Sequence, residues 1–134
     1  MRLNNYYGAG MILYTKDSQG NIHVLLEKRA DDHTWAIPGG ALDDLEDYKE
    51  AAIRETFEET GISIDSAWCV NRYQLPYFSY WVYASRLEKQ QTPLKNWESD
   101  AIEWFAADDL PEGMNWMTRI EIEDFIRKEK KHVE

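Results

Sequence analysis

The sequence predicts an α/β fold: one domain over residues 1–134, with a mixed β-sheet held between two helices. Three observations predict it. Short β-prone runs recur along the chain, at Gly8–Tyr14, Ile22–Lys28, Tyr77–Ala84 and Ala101–Phe105. Two stretches have helical periodicity, one central and one near the end. A length of 134 residues with 43% apolar content suits one buried core, and no Pro/Gly/Ser-rich linker, internal repeat or low-complexity tract divides it.

In chain order, Gly8–Tyr14 reads as a strand entering the core. Asp17-Ser18-Gln19-Gly20-Asn21 is a turn by composition, so Ile22–Lys28 is the returning strand of a hairpin. Arg29 ends that strand. Ala30–Thr34 is a loop in which His33 is a surface residue. Trp35 is assigned to the core, and Pro38-Gly39-Gly40 makes a turn where the backbone can approach a ligand closely. Asp47 with Glu50 forms a capping box, starting a helix over 48–60 that Gly61 ends. On it, Ile53 and Phe57 mark the packed side, while Ala51 and Ala52 leave room for a substrate. A strand follows within Ser63–Tyr73. In Tyr77–Ala84, Tyr77, Ser79, Trp81 and Tyr83 share one face and Phe78, Tyr80, Val82 and Ala84 the other, with one face a candidate for stacking on a base. Arg86–Trp97 reads as a loop and Ala101–Phe105 as the last strand. Trp116 is placed in a loop before the final helix, whose buried face is Ile122, Phe125 and Ile126.

The chemistry concentrates in Pro38–Ile62. Glu55, Glu58 and Glu59 are spaced by three and four residues, which gathers their carboxylates within a wedge of about 100° on one helix face. Like charges so placed cost a helix a few tenths of a kcal/mol per pair unless a cation faces them. Hard divalent cations take oxygen ligands, and Mg²⁺ keeps several waters while binding one or two carboxylates plus substrate phosphates. Without such a cation, the wedge is a solvated acidic face.

The surrounding pattern decides between these readings. Gly40, five residues, Glu46, seven residues and then Arg54-Glu55-Thr56-Phe57-Glu58-Glu59-Thr60-Gly61-Ile62 resembles the signature of the Nudix hydrolases. Eight of its nine fixed positions match, the exception being Thr56 where the family has an aliphatic residue. Leu45, before the motif Glu46, replaces a glycine common among relatives, which points to an altered loop. The resemblance covers essentially the whole chain, and its specific part is residues 35–62. It implies a Nudix-type α/β/α sandwich with a mixed central β-sheet. It further implies metal ligation by Glu58 and Glu59, with Glu55 as ligand or general base and a Gly40 carbonyl contributing. Arg54 would hold the motif carboxylates in position. Arg29 would face substrate phosphates, for which its planar fork is suited. A further Glu reaches the metal in several relatives. Glu98 is the best match and Glu103 the next. Trp116 is a candidate to cover a base.

The implied activity is a metal-dependent pyrophosphohydrolase, using Mg²⁺ or Mn²⁺, that cleaves a nucleoside diphosphate joined to a group X by water attack on phosphorus. Two other readings stand beside it. One is a binding module on this fold with weak or no catalysis, against which the intact Arg54, Glu55, Glu58 and Glu59 argue. The other is isopentenyl diphosphate isomerisation, which needs an activated cysteine, whereas the single Cys69 lies outside the motif and is assigned to the core. A net charge of −10 disfavours a polyanion-binding surface. The expected partner is a small phosphorylated nucleotide rather than a nucleic-acid polymer, with a 5′-RNA end left open, and the chain a monomer or homodimer. No run of 18 apolar residues suggests a membrane span. The Met1–Asn5 start lacks a secretory h-region, so a cytoplasmic location is expected.

Overall fold

A computed structural model describes residues 5–94 and 96–132; most of the start read as non-secretory lies outside them. Strand β1 (Tyr6–Lys16) is followed by β2 (Ile22–Arg29), two short strands β3 (Trp35–Ala36) and β4 (Gly39–Ala41), and helix α1 (Tyr48–Thr60). Then come β5 (Trp68–Leu75), β6 (Phe78–Arg86), β7 (Ser99–Ala106) and helix α2 (Trp116–Glu129).

The path β3-β2-β1-β6-β5 forms the sheet, with β4 paired to β1 and β7 to β2. The hairpin expected around Asp17–Asn21 is present: β1 and β2 pair antiparallel with Tyr14 opposite Val24. The sheet is mixed because β1 also runs parallel to β6, Gly8 opposite Tyr80 and Ile12 opposite Ala84.

Alternation along the strands builds two cores. Ile12, Tyr14, Val24 and Leu26 face α2, where they meet Ile122 and Phe125. Ala9, Met11, Leu13 and Leu25 face α1, where they meet Ala51 and Ala52. Of the three residues predicted for the buried face of α2, Ile122 and Phe125 are buried and Ile126 packs partly against them. Trp35 joins this core, edge-on to Phe105 at 4.9 Å.

Helix α1 starts where its caps dictate. The Asp47 side chain accepts from the Glu50 backbone while Glu50 reaches back to Asp47, and Gly61 closes the helix at φ 76°. Its packed face differs from the expectation. Phe57 is 54% exposed, whereas Ala51, Ala52, Thr56 and Thr60 are fully buried. Small side chains let α1 lie close on β1, so Ala51 and Ala52 fill the core and leave no substrate space. Ile53 packs only at its margin. Thr56 fits because its Oγ1 donates to the Ala52 carbonyl at 2.7 Å.

Two further expectations are corrected, and the backbone at Leu45 is defined. Cys69 is exposed, since β5 is the sheet's edge and its register shifts between Cys69 and Asn71. Trp116 is the first residue of α2, because Asn115 caps the helix by accepting from the Met117 and Thr118 backbones. Leu45 takes the left-handed conformation a glycine would, φ 66°, with its side chain wholly in solvent. Leu45 thus holds this turn at the expense of backbone strain.

Candidate active site

Arg54 organises the site. A guanidinium carries five N–H donors, and here all five are used. Nε and Nη2 donate to the two Glu46 oxygens at 2.8 and 3.0 Å, and Nη2 donates to the Ala41 carbonyl at 3.0 Å. Nη1 donates to Glu55 at 3.0 Å and Glu58 at 3.1 Å. These bonds tie the loop before α1 to the helix face bearing the carboxylates. Hydrogen bonds from Arg54 hold the Glu46 carboxyl below the usual carboxylate range, and the Glu46 bond raises the guanidinium itself.

The three helical carboxylates sit at different depths. Glu58 is about half exposed and Glu55 mostly covered. Glu59 is buried, accepting from the Gly39 N–H at 2.8 Å. Burial raises the Glu55 carboxyl above its ordinary value. A Cβ on Gly40 would land 2.6 Å from the Glu55 carboxyl carbon. Only glycine therefore lets the carboxylate lie against that backbone, which explains why the turn before the acidic loop ends in one.

Below Glu59 lies a residue the sequence reading missed. Glu27 stands two positions after Leu25 on β2, on the α1 side of the sheet, and is 3% exposed. Its carboxylate accepts from the Ser99 hydroxyl at 3.2 Å and shares a hydrogen bond with Glu59. Burial pushes Glu27 up to about 7 and, with the Glu27 charge beside it, Glu59 up to about 9. The pair titrates as a unit, so one shared proton or an external cation must occupy it at neutral pH. The phase of Glu27 with Leu25 on β2 marks it as core-facing, where an acid needs a partner, but the sequence does not say which segment supplies that partner.

These groups line one end of a cleft of about 1020 Å³. Arg29 and Glu98 sit at its rim. Arg29 is bidentate to Asp31 at 3.1 and 3.0 Å, and that bond raises the guanidinium. The Glu98 carbonyl accepts from the Ala30 N–H at 3.0 Å, anchoring the rim to the β2 end. Asn96, two residues earlier, donates to the Glu58 and Glu59 carbonyls at 3.3 and 3.1 Å, so this loop is fastened to the end of α1. Glu103, the other candidate, is exposed in β7 opposite Leu26 and does not line the cleft. His33 is an exposed loop residue, 2.6 Å from Asp100.

Another wall of the cleft is organic in character. Tyr6 stacks with Phe78 at 5.6 Å, and Phe78 with Tyr80 at 6.3 Å, forming an aromatic wall. Asn115, Met117 and Thr118 from the start of α2 face into the same space. Because Asn115 Oδ1 accepts from two backbone N–H groups, its amide –NH₂ is the half left for a ligand. Trp116 lies elsewhere. It is 71% exposed and borders an adjoining apolar groove of about 580 Å³ with Leu75 and Ile120.

Among the described residues no three acidic or imidazole side chains converge into a ready-made cation cage. The donor chemistry nevertheless fits a hard divalent ion. Every candidate ligand is an oxygen, the buried Glu27–Glu59 pair has the Arg29 charge acting on Glu27 yet both carboxyls stay raised, and Mg²⁺ needs only one or two carboxylates beside its waters.

Comparison with known proteins matches residues 5–127 to the NUDIX domain. A Bacillus subtilis (strain 168) protein named "Putative 8-oxo-dGTP diphosphatase" is 31% identical over 120 residues, covering 88% of this chain and 78% of that protein. An RNA pyrophosphohydrolase of Wolbachia sp. subsp. Brugia malayi (strain TRS) is 45% identical over 54 residues, covering 40% of this chain and 31% of that protein. This chain spans only 24% to 41% of several other curated relatives. Among solved structures, a MutT NUDIX hydrolase from Burkholderia pseudomallei superposes with a TM-score of 0.74 at 28% identity, covering 91% of this chain and 98% of that one.

Proposed function

The chain belongs to the Nudix hydrolase family, enzymes that act on phosphoric anhydride bonds, and from that premise we propose a metal-dependent pyrophosphohydrolase of free nucleotides. It cleaves a nucleoside diphosphate joined to a group X by attack of water on phosphorus. One observation carries this reading: Arg54 presents Glu55 and Glu58 at the mouth of a cleft whose floor is the buried Glu59–Glu27 pair.

Nudix hydrolases generally use divalent metals. In this chain Glu58 and Glu59 would hold Mg²⁺ or Mn²⁺ with the Gly40 backbone, Glu55 would serve as a further ligand or as the base, and Glu98 would approach from the rim. Such an ion lowers the pKa of a bound water and neutralises phosphate oxygens. The rest falls to the protein. In the base role, Glu55, whose carboxyl burial raises above its ordinary value, would take a proton from the attacking water. Arg54 fixes where that carboxylate stands. Arg29, already paired to Asp31, meets the outer phosphate through whatever N–H groups that pair leaves open. The aromatic wall of Tyr6, Phe78 and Tyr80 receives the base, and Asn115 offers it two donors.

The electrostatics favour a small substrate. Arg29 is the one cation lining the cleft among the described residues, against Glu27, Asp31, Glu55, Glu58, Glu59, Glu98 and Glu121. A long polyanion would meet net repulsion there. The name of the Bacillus relative agrees with a nucleoside triphosphate, whereas that of the Wolbachia relative would point to an RNA end. We place the activity in the cytosol, in keeping with a lone unpaired cysteine; no helix of the described residues is long and apolar enough to cross a membrane.

The test is turnover with Mg²⁺ or Mn²⁺ on nucleoside triphosphates (oxidised dGTP included), ADP-ribose, dinucleoside polyphosphates and 5′-triphosphate RNA. Hydrolysis of a free nucleotide with kcat/KM well above that on RNA is expected. Tight nucleotide binding without turnover would make the chain a binding module, and RNA as the best substrate would overturn the small-substrate reading.

A further inference from the structure

We infer that Asn96 is a positioning residue for the metal site: its one side-chain amide ties the Glu98 backbone to the last turn of α1, and so sets where the Glu98 carboxylate stands relative to Glu58 and Glu59. The inference rests on the reading that these carboxylates hold a divalent ion, and it adds what fixes the loop carboxylate against the helical ones.

The last carbonyls of a helix find no partner within it. In α1 these belong to Phe57, Glu58, Glu59 and Thr60, and no basic residue stands in the last turn to meet them. The Gly61 N–H takes the Phe57 carbonyl at 2.8 Å and closes the helix. The other three are met from a single loop. The Leu94 N–H donates to the Thr60 carbonyl at 2.8 Å. Asn96 Nδ2 donates to the Glu58 and Glu59 carbonyls at 3.3 and 3.1 Å. The residues that receive Asn96 are thus the two whose carboxylates are the leading metal ligands.

The same amide has a second task. Its Oδ1 accepts from the Glu98 N–H at 2.8 Å, which makes an Asx-turn. The Glu98 carbonyl accepts in turn from the Ala30 N–H at 3.0 Å. Glu98 is therefore pinned on both sides of its Cα, to α1 through Asn96 and to the end of β2 through Ala30. Because Glu98 is exposed, these backbone ties place it and packing does not. Its charge reaches the helical and buried acids, pushing both Glu27 and Glu55 up. Capping α1 would need only the Nδ2 half of the amide, and turning the loop only the Oδ1 half. An amide alone among side chains carries donors and a strong acceptor on one short plane, and Asn96 uses both at once, which couples the loop carboxylate to the helix.

The experiment is titration of metal-depleted protein with Mn²⁺, without nucleotide, reading the free ion by electron paramagnetic resonance. Wild type, Asn96→Ser, Glu98→Gln and the double variant are compared. Serine keeps a hydroxyl to accept from the Glu98 N–H but is too short to reach α1. Glu98→Gln should weaken Mn²⁺ binding about tenfold and Asn96→Ser about fivefold, as loss of a residue that orients a ligand does. The double variant should match Glu98→Gln alone, because Asn96 acts only through Glu98. In turnover, Asn96→Ser should raise the Mg²⁺ concentration for half-activation about fivefold and leave the nucleotide KM at saturating Mg²⁺ within about twofold. Unchanged Mn²⁺ affinity in Asn96→Ser beside a loss in Glu98→Gln would overturn the inference alone and leave Asn96 a helix cap. Additive losses in the double variant would overturn it as well. Unchanged affinity in Glu98→Gln, or no Mn²⁺ binding by wild type, would overturn the metal reading of the carboxylates and the inference with it. Melting in EDTA checks that each variant folds, and Asn96→Ala, with the same expectations, decides if Asn96→Ser does not.

Discussion

Replacing Arg54 by lysine keeps the positive charge and removes the fork. Five N–H groups of Arg54 bond five acceptor atoms, on Glu46, Glu55, Glu58 and Ala41. An ammonium has three donors and reaches as a point charge, so at least two of these bonds are lost. Hydrogen bonds to charged groups contribute about 1.5–3 kcal/mol each. The sum must be discounted, since Glu58 is half exposed and the lysine still attracts the carboxylates through water. A net loss of about 2 kcal/mol remains, or roughly an 8 °C fall in melting temperature for a chain of this size. Catalysis should suffer as well, because Glu55 and Glu58 lose the donor that sets their positions. We expect kcat to fall about 10- to 100-fold, or ~1.4–2.7 kcal/mol of barrier. Thermal unfolding and steady-state turnover at saturating Mg²⁺ read the two effects. A lysine variant that melts within about 2 °C of wild type and turns over at a similar rate would refute the organising role of Arg54.

Other consequences follow from the same geometry. Leu45→Gly relieves the left-handed backbone strain at no cost in packing and should raise unfolding stability by up to about 1 kcal/mol, measured by urea titration. Thr56→Val removes a hydroxyl that bonds only an already-paired carbonyl; it should shift stability by about 1 kcal/mol or less and leave kcat within a few-fold, and a large loss of kcat at unchanged melting temperature would place Thr56 in the chemistry. In EDTA the melting temperature should fall as pH rises from about 5 to 9. Glu27 and Glu59 have folded values raised to about 7 and about 9, so the native state binds more protons than the unfolded chain across that window and their stabilisation is lost on deprotonation. Glu59→Gln should flatten the slope, and a wild-type melting temperature that does not fall over this range would contradict the pairing.

Local signals made much of the fold legible. Asp47, Glu50 and Gly61 delimited α1 to the residue, because caps act within one turn. The β1–β2 hairpin followed from the turn at Asp17–Asn21, and the buried stripe of α2 from its three-four spacing. Partnerships between distant segments were not legible. Nothing local says that β1 pairs parallel with β6, and that pairing sets the aromatic wall beside the carboxylates. Phe57 misled because hydrophobicity suggested a core side that small residues fill instead. At the site, the motif named Arg54 and the helical acids, since their spacing is covalent. Glu27 required knowing that β2 passes beneath Glu59. Trp116 attracted attention as an aromatic, but the cap at Asn115 turned it into the neighbouring groove.

The measurement that tests the central claim most directly is phosphate-linked turnover of a nucleoside triphosphate by wild type and Glu58→Gln, each with Mg²⁺ and with excess EDTA. Glu58→Gln keeps the size of a half-exposed side chain and removes its charge, so the fold should persist. The account predicts that EDTA abolishes wild-type turnover and that the substitution lowers kcat at least about a hundredfold, ~2.7 kcal/mol of barrier. Full activity in EDTA, or a near-normal rate for Glu58→Gln, would contradict it and return the acidic wedge of α1 to a solvated surface.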